Sequence, residues 1–146
     1  MTIDKRGKWW KGTDFSDLSE YINLFARENT YPVELVKRSI CICGHTSFRL
    51  LADRDEGCVQ RICEKCGEKT FIGDSAEYWE EAEPKKVGCP CKGVIFEVGV
   101  GFSFRQGENE IKWITVGERC IKCGILGSCA DWKINYGPSI HLISLV

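Results

Sequence analysis

Cys41-Ile42-Cys43-Gly44-His45-Thr46-Ser47-Phe48 and Cys89-Pro90-Cys91-Lys92-Gly93-Val94-Ile95-Phe96 carry the reading of the fold. Each opens on a CxC pair and places an aromatic residue five positions after the second cysteine. Each is answered downstream by a CxxC pair followed by glycine, Cys63-x-x-Cys66-Gly67 and Cys120-x-x-Cys123-Gly124, with an arginine just ahead of it, Arg61 or Arg119. Two close cysteine pairs at the end of a β-hairpin can bring four sulfurs to the corners of a tetrahedron, the arrangement of a structural zinc ion. A turn that carries such a pair folds back so that backbone N–H groups face the thiolates. Gly44, Gly67, Gly93 and Gly124 tolerate the left-handed conformations this demands.

Two similar halves predict two sites. Cys41, Cys43, Cys63 and Cys66 form the first, Cys89, Cys91, Cys120 and Cys123 the second, with one Zn2+ in each and two per chain. A cross-braced arrangement, in which pairs from different halves share an ion, is the alternative. Cys58 and Cys129 have no CxC or CxxC partner and are expected as buried apolar residues, although either could replace a ligand.

The segments between the pairs are β-like. In the second half Val94 to Phe104 and Ile111 to Val116 flank a turn at Gln106-Gly107-Glu108-Asn109. In the first, Phe48 to Leu51 and Val59 to Ile62 flank Asp53 to Gly57. Ahead of them Asp14 or Ser16 can cap a helix whose Leu18, Tyr21, Ile22 and Phe25 make one apolar stripe ending near Asn29 and Pro32. Ser75 to Glu83 is a second, acidic helical stretch stopped by Pro84.

The fold class expected is therefore small α+β and metal-bound: two zinc-ribbon-like β-hairpin units with an N-terminal helix and a short connecting helix. The parts are a basic, aromatic segment and amphipathic helix (1–40), a first metal unit (41–73), an acidic connector (74–88), a second metal unit (89–127) and a packed C-terminal segment (128–146), all within one compact domain.

At 146 residues the chain needs only one core. Lys+Arg 20 against Asp+Glu 21 leaves a net charge of -1, which gives no global drive toward nucleic acid or anionic membrane. No long uncharged apolar run and no leader-like pattern over residues 1–30 is present, so a cytoplasmic protein without membrane contact is expected. In a reducing compartment ten cysteines point to metal rather than disulfides.

Residues 41–67 and 89–127 resemble the zinc-ribbon superfamily, with CxC knuckles in place of the commoner CxxC. The stretch from Gly124 to Pro138 looks like a signature found in uncharacterised bacterial proteins. The resemblance implies metal binding and carries no activity. Four thiolates close a zinc site and leave no position for a reacting water, and no nucleophile motif, phosphate loop or paired acids accompany them, so no enzyme is expected. His45, beside the first knuckle, reads as a surface residue.

A protein-interaction or regulatory module with an unidentified protein partner is the leading expectation. The alternative is nucleic-acid binding through Lys5, Arg6, Lys8, Trp9, Trp10 and Lys11, where cations interleave with rings that could stack on bases. A thiol-based redox switch is a further alternative.

Overall fold

The computed structural model describes residues 3–29, 31–107 and 109–146. The helix α1 spans Phe15–Asn29. Asp14 is its cap: its Oδ1 accepts the Asp17 N–H at 3.2 Å and the Ser16 hydroxyl at 2.7 Å. Asp17 answers from inside the first turn, its buried carboxylate accepting the Thr13 N–H at 2.9 Å and the Thr13 hydroxyl at 3.1 Å. Reciprocal bonding of this kind satisfies donors that a helix start otherwise leaves open.

The strands are β1 (Leu35–Arg38), β2 (Phe48–Asp53), β3 (Cys58–Cys63), β4 (Lys69–Phe71), β5 (Lys85–Lys86), β6 (Phe96–Phe104), β7 (Ile111–Cys120) and β8 (Leu126–Lys133), with a one-turn helix α2 (Ser75–Tyr78) between β4 and β5. They make a single antiparallel sheet in the order β4-β3-β2-β6-β7-β8, to which β1 adds beside β6 and β5 beside β2. The cysteine-bearing halves are thus three-stranded meanders, β2-β3-β4 and β6-β7-β8, rather than two-stranded hairpins. They join where Phe48 pairs with Phe96, the aromatic residues five positions after each CxC. Their registers correspond: Phe48 pairs with Cys63 as Phe96 pairs with Cys120, and Ile62 pairs with Lys69 as Arg119 pairs with Leu126.

The connector is shorter in helix than its sequence predicts. After α2 the chain makes one 3-10 turn, Trp79–Glu81, then extends at Ala82. The cause is local: the Asp53 carboxylate accepts the Glu83 N–H at 2.8 Å, and Pro84 forbids a helical conformation before it. Lys85 and Lys86 then pair with Ala52 and Leu51, so the connector is woven into the sheet.

The core lies between the meanders. Val98, Val100, Phe102, Ile114 and Val116 from the second meet Phe48, Leu50, Val59 and Ile72 from the first, with Trp132, Ile134 and Leu142 filling the space between them. One polar clasp crosses it: buried Asp74 accepts the Trp132 indole N–H at 3.0 Å and the Tyr136 hydroxyl at 2.7 Å.

On the opposite face of β6 and β7, Gly99, Gly101 and Gly117 form a bare strip on which α1 lies. A Cβ on Gly117 would stand 2.5 Å from Ile22 Cγ1, too close for any side chain. The approach buries Leu18 and Ile22 completely, each contributing about 1.5–3 kcal/mol.

Candidate metal centres

Each meander gathers four thiols at the end of its first hairpin. Cys41, Cys43, Cys63 and Cys66 form one group and Cys89, Cys91, Cys120 and Cys123 the other, with all sulfurs of a group within 4.8 Å of one another. In the first, Cys41 and Cys66 lie 3.4 Å apart and Cys43 and Cys63 3.7 Å. In the second, Cys89 and Cys123 lie 3.4 Å apart and Cys91 and Cys120 3.6 Å. A metal–sulfur bond of about 2.3 Å gives a tetrahedron edge of about 3.8 Å, so both groups are close to the size such an ion requires.

The knuckles are built by matching backbone bonds. In the CxC turns, the Cys41 N–H donates to the His45 carbonyl at 2.9 Å as the Cys89 N–H donates to that of Gly93 at 2.9 Å. Gly44 donates back to Cys41 as Lys92 does to Cys89. In the CxxC turns, Cys63 donates to Glu68 as Cys120 does to Ile125, and Gly67 to Cys63 as Gly124 to Cys120. The turn residue after the second CxC cysteine is left-handed in both, at φ 91 for Gly44 and φ 74 for Lys92. Gly93, which the sequence marks as the corresponding glycine, is instead needed for space: a Cβ there would lie 2.9 Å from the Cys120 sulfur.

Backbone N–H groups aimed at sulfur favour thiolate, and crowding of four thiols opposes it. Burial works against ionisation of Cys63, yet the Cys66 and Lys65 N–H groups and the adjoining thiols bring it down to about 6. The Gly93 N–H, 3.4 Å from the Cys91 sulfur, lowers that thiol to about 7. Cys66 has the Glu68 N–H in its favour, but the neighbouring Cys41 thiol and burial push it up to about 12. Burial likewise raises Cys89. A first thiolate in each group is favoured by the fold and the later ones are not; a bound cation would reverse that penalty.

The two arginines that the sequence sets in parallel occupy different faces. Arg61 stands two residues before Cys63 and Arg119 one before Cys120, and the side of a strand alternates with each residue. Arg61 is buried, its guanidinium 4.6 Å from the Phe48 ring centre and its Nε donating to the Val146 carbonyl at 2.8 Å. Arg119 faces buried Glu97, which accepts from it at 2.9 Å and also from Arg38. His45, by the first knuckle, bonds Glu64 at 3.0 Å and stands outside the thiol group.

Cys58 and Cys129 are buried away from both groups. Desolvation raises Cys58 to about 11 and pushes Cys129 well above the usual thiol value. Cys129 is the extra residue of a β-bulge: Val116 pairs with Ala130 and Gly117 with Ser128. Its N–H donates to buried Glu118 Oε1 at 2.9 Å. Burial lifts the Glu118 carboxyl to about 7. No feature of the sequence announces this carboxylate, because nothing local shows that a bulge will turn the Cys129 amide toward it.

The basic N-terminal stretch is a folded turn. Asp4 and Lys11 pair across it, and Lys11 also bridges Ile125. Arg6 forms an ion pair with Asp4 at 3.0 Å. The Lys5 and Lys8 ammonium groups lie 4.7 and 5.3 Å from the Trp10 and Trp9 ring centres. Trp10 is half-buried, edge-on to Tyr21 at 6.2 Å, while Trp9 remains 46% exposed. The stretch sits against the second thiol group, held by the Gly12 N–H to the Gly124 carbonyl at 2.8 Å.

Among the described residues no helix is long and apolar enough to cross a membrane. Compared with known proteins, the chain matches no family model, no curated protein and no solved structure.

Proposed function

We infer that both tetracysteine groups are structural zinc sites, each closing a zinc-ribbon-like unit, and that the protein is a non-catalytic, protein-binding module. The observation that carries this reading is the pair of four-thiol groups with near-tetrahedral spacing. An all-sulfur tetrahedral donor set suits zinc and fills its coordination, which leaves no place for a substrate or an activated water. Bound zinc would cross-link each knuckle pair and neutralise thiolates that the crowded groups otherwise resist forming. The chain's own part is to present the sulfurs: N–H groups of Cys66 and Gly93 point at them, and the strand registers hold each CxC against its CxxC.

Protein is favoured over nucleic acid as the partner because three of the four cations of the basic stretch are engaged within the chain. Arg6 is paired with Asp4, and Lys5 and Lys8 lie over tryptophan rings. Metal analysis of protein purified under reducing conditions without added metal tests the reading. About two zinc ions per chain, lost together with folded structure on chelation, is the expected result. One ion, none, or iron in its place would overturn it.

A further inference from the structure

Two clefts meet beside the second thiol group. One, of about 410 Å³, is walled by Trp9, Tyr21, Phe25 and Phe96. The other, of about 570 Å³, is rimmed by Asp53, Asp55, Glu56, Glu81 and Glu83. Arg54, Gly88, Glu118 and Ser128 border both, so the two make one trough, aromatic at one end and acidic at the other. It follows the start of β8, the last strand of the sheet. The outer edge of β8 is occupied at this point by the chain itself, the Leu126 N–H donating to the Trp10 carbonyl at 2.8 Å and the Ser128 carbonyl accepting from Arg54.

At the middle of the trough stands a largely covered carboxylate. Glu118 is only 8% exposed. Its Oε1 accepts the Cys129 N–H and the carboxyl group adjoins the Cys129 thiol, whereas neither oxygen meets a cation within ion-pair distance among the described residues. Gly127 keeps room for Oε2: a Cβ there would sit 2.7 Å from it. The nearest cation, Arg54, is held to the rim by its bond to the Ser128 carbonyl at 2.6 Å. A largely covered carboxylate with no ion-pair partner gains when a cation reaches it.

We propose that this trough is the docking site for an arginine- or lysine-bearing segment of a partner protein, one of whose cationic side chains lies against Trp9, Tyr21 and Phe25 and ends at Glu118. The proposal deepens the protein-binding reading and rests on it. Two features select such an occupant. Aromatic faces attract cations. Six carboxylates (Asp53, Asp55, Glu56, Glu81, Glu83, Glu118) outnumber the three cations on the acidic side (Arg54, Lys85, Lys86), which favours positive charge and repels phosphate.

The test is fluorescence polarisation with the zinc-loaded protein at physiological ionic strength. The probes are a labelled short peptide of alternating arginine and serine, the same peptide with glutamate for arginine, and labelled oligothymidylate. Saturable one-to-one binding of the arginine peptide alone is expected. Glu118→Gln, which retains an acceptor for the Cys129 N–H, and Trp9→Ala should each weaken it by about tenfold or more. Lys133→Ala, on an exposed residue at the far end of β8, should leave it unchanged. No saturable binding, equal affinity in the Glu118 and Trp9 variants, or preference for the oligonucleotide would overturn the proposal. Circular dichroism and zinc content establish that each variant is folded. Because zinc stoichiometry does not depend on the peptide, a chain that holds two ions and ignores the peptide loses the trough and keeps the structural sites.

Discussion

The two meanders hold their thiols by the same register and the same knuckle bonds, yet they are supported very differently. In the first, β2 and β3 have six residues each and β4 three. In the second, β6, β7 and β8 have nine, ten and eight. The second is packed on both faces, against the shared core and under α1. In the first, β3 is buried on both faces, but β2 and β4 are only partly covered. Their thiols follow suit: Cys43 and Cys66 of the first group are exposed, whereas none of the second is. The comparison teaches that one metal-binding pattern can be a support for one half of a molecule and a reinforcement for the other. Where few apolar contacts exist, a bound ion would carry the fold; where strands are long and covered, it would add to a structure that packing already favours.

Metal removal is the largest perturbation, because a structural zinc can supply roughly 10–16 kcal/mol, as much as the whole stability of a small domain. Under rising chelator concentration the first group should release its ion before the second. Hydrogen exchange should then show β2, β3 and β4 losing protection while β6 and β7 keep theirs. Simultaneous loss, or loss from the second group first, would break the comparison.

Gly117→Val attacks the support that only the second meander has. The new side chain would collide with Ile22 at the point where α1 touches β7. Overpacking of this kind should cost about 2–3 kcal/mol in denaturant unfolding, with zinc content unchanged. An effect within a few tenths of a kcal/mol would mean that α1 lies loosely on the sheet and that both halves lean on metal alike.

Asp74→Ala tests how far the halves depend on each other. It strands the Trp132 N–H and the Tyr136 hydroxyl, and the expected loss is about 1–3 kcal/mol. If the clasp joins the halves as proposed, the variant should also separate the two steps of chelator-driven unfolding more widely. A single unaltered transition would show that the core alone couples them.

Much of this was legible in the cysteines. Their spacing specifies which thiols can meet, and the aromatic residue five places after each CxC marks equivalent strand starts. The stripe Leu18, Tyr21, Ile22 and Phe25 announces α1, although the face it buries is Leu18, Ile22 and Ala26, with Tyr21 and Phe25 half-buried at its side. What the sequence hides is long-range. Nothing local says that Phe48 and Phe96 pair with each other and fuse two hairpins into one sheet. The third strand of each meander is equally silent, as are the two-residue β5 and the bulge that places Cys129 beside Glu118. The arginines before each CxxC mislead for a physical reason: one residue of offset on a strand reverses the face, so similar sequence puts Arg61 in the core and Arg119 on Glu97.

The smallest effect comes from a position where the knuckles take the same left-handed turn with different residues. Gly44 takes its left-handed turn without a side chain, while Lys92 takes the same turn with one, at φ 74. A residue with a Cβ in that region carries a conformational cost of about 1–2 kcal/mol, and glycine recovers most of it, less its own greater freedom in the unfolded chain. Lys92→Gly should therefore stabilise the zinc-loaded protein by about 0.5–1 kcal/mol, read as a higher denaturation midpoint at constant slope. A lysine beside a tetrathiolate group also offers a positive charge to a centre that is formally negative when zinc is bound. Lys92→Asn separates the two contributions, since asparagine tolerates the left-handed turn but removes the charge. If both variants lower the midpoint, charge rather than backbone strain explains residue 92, and the two knuckles differ in electrostatics as well as in burial.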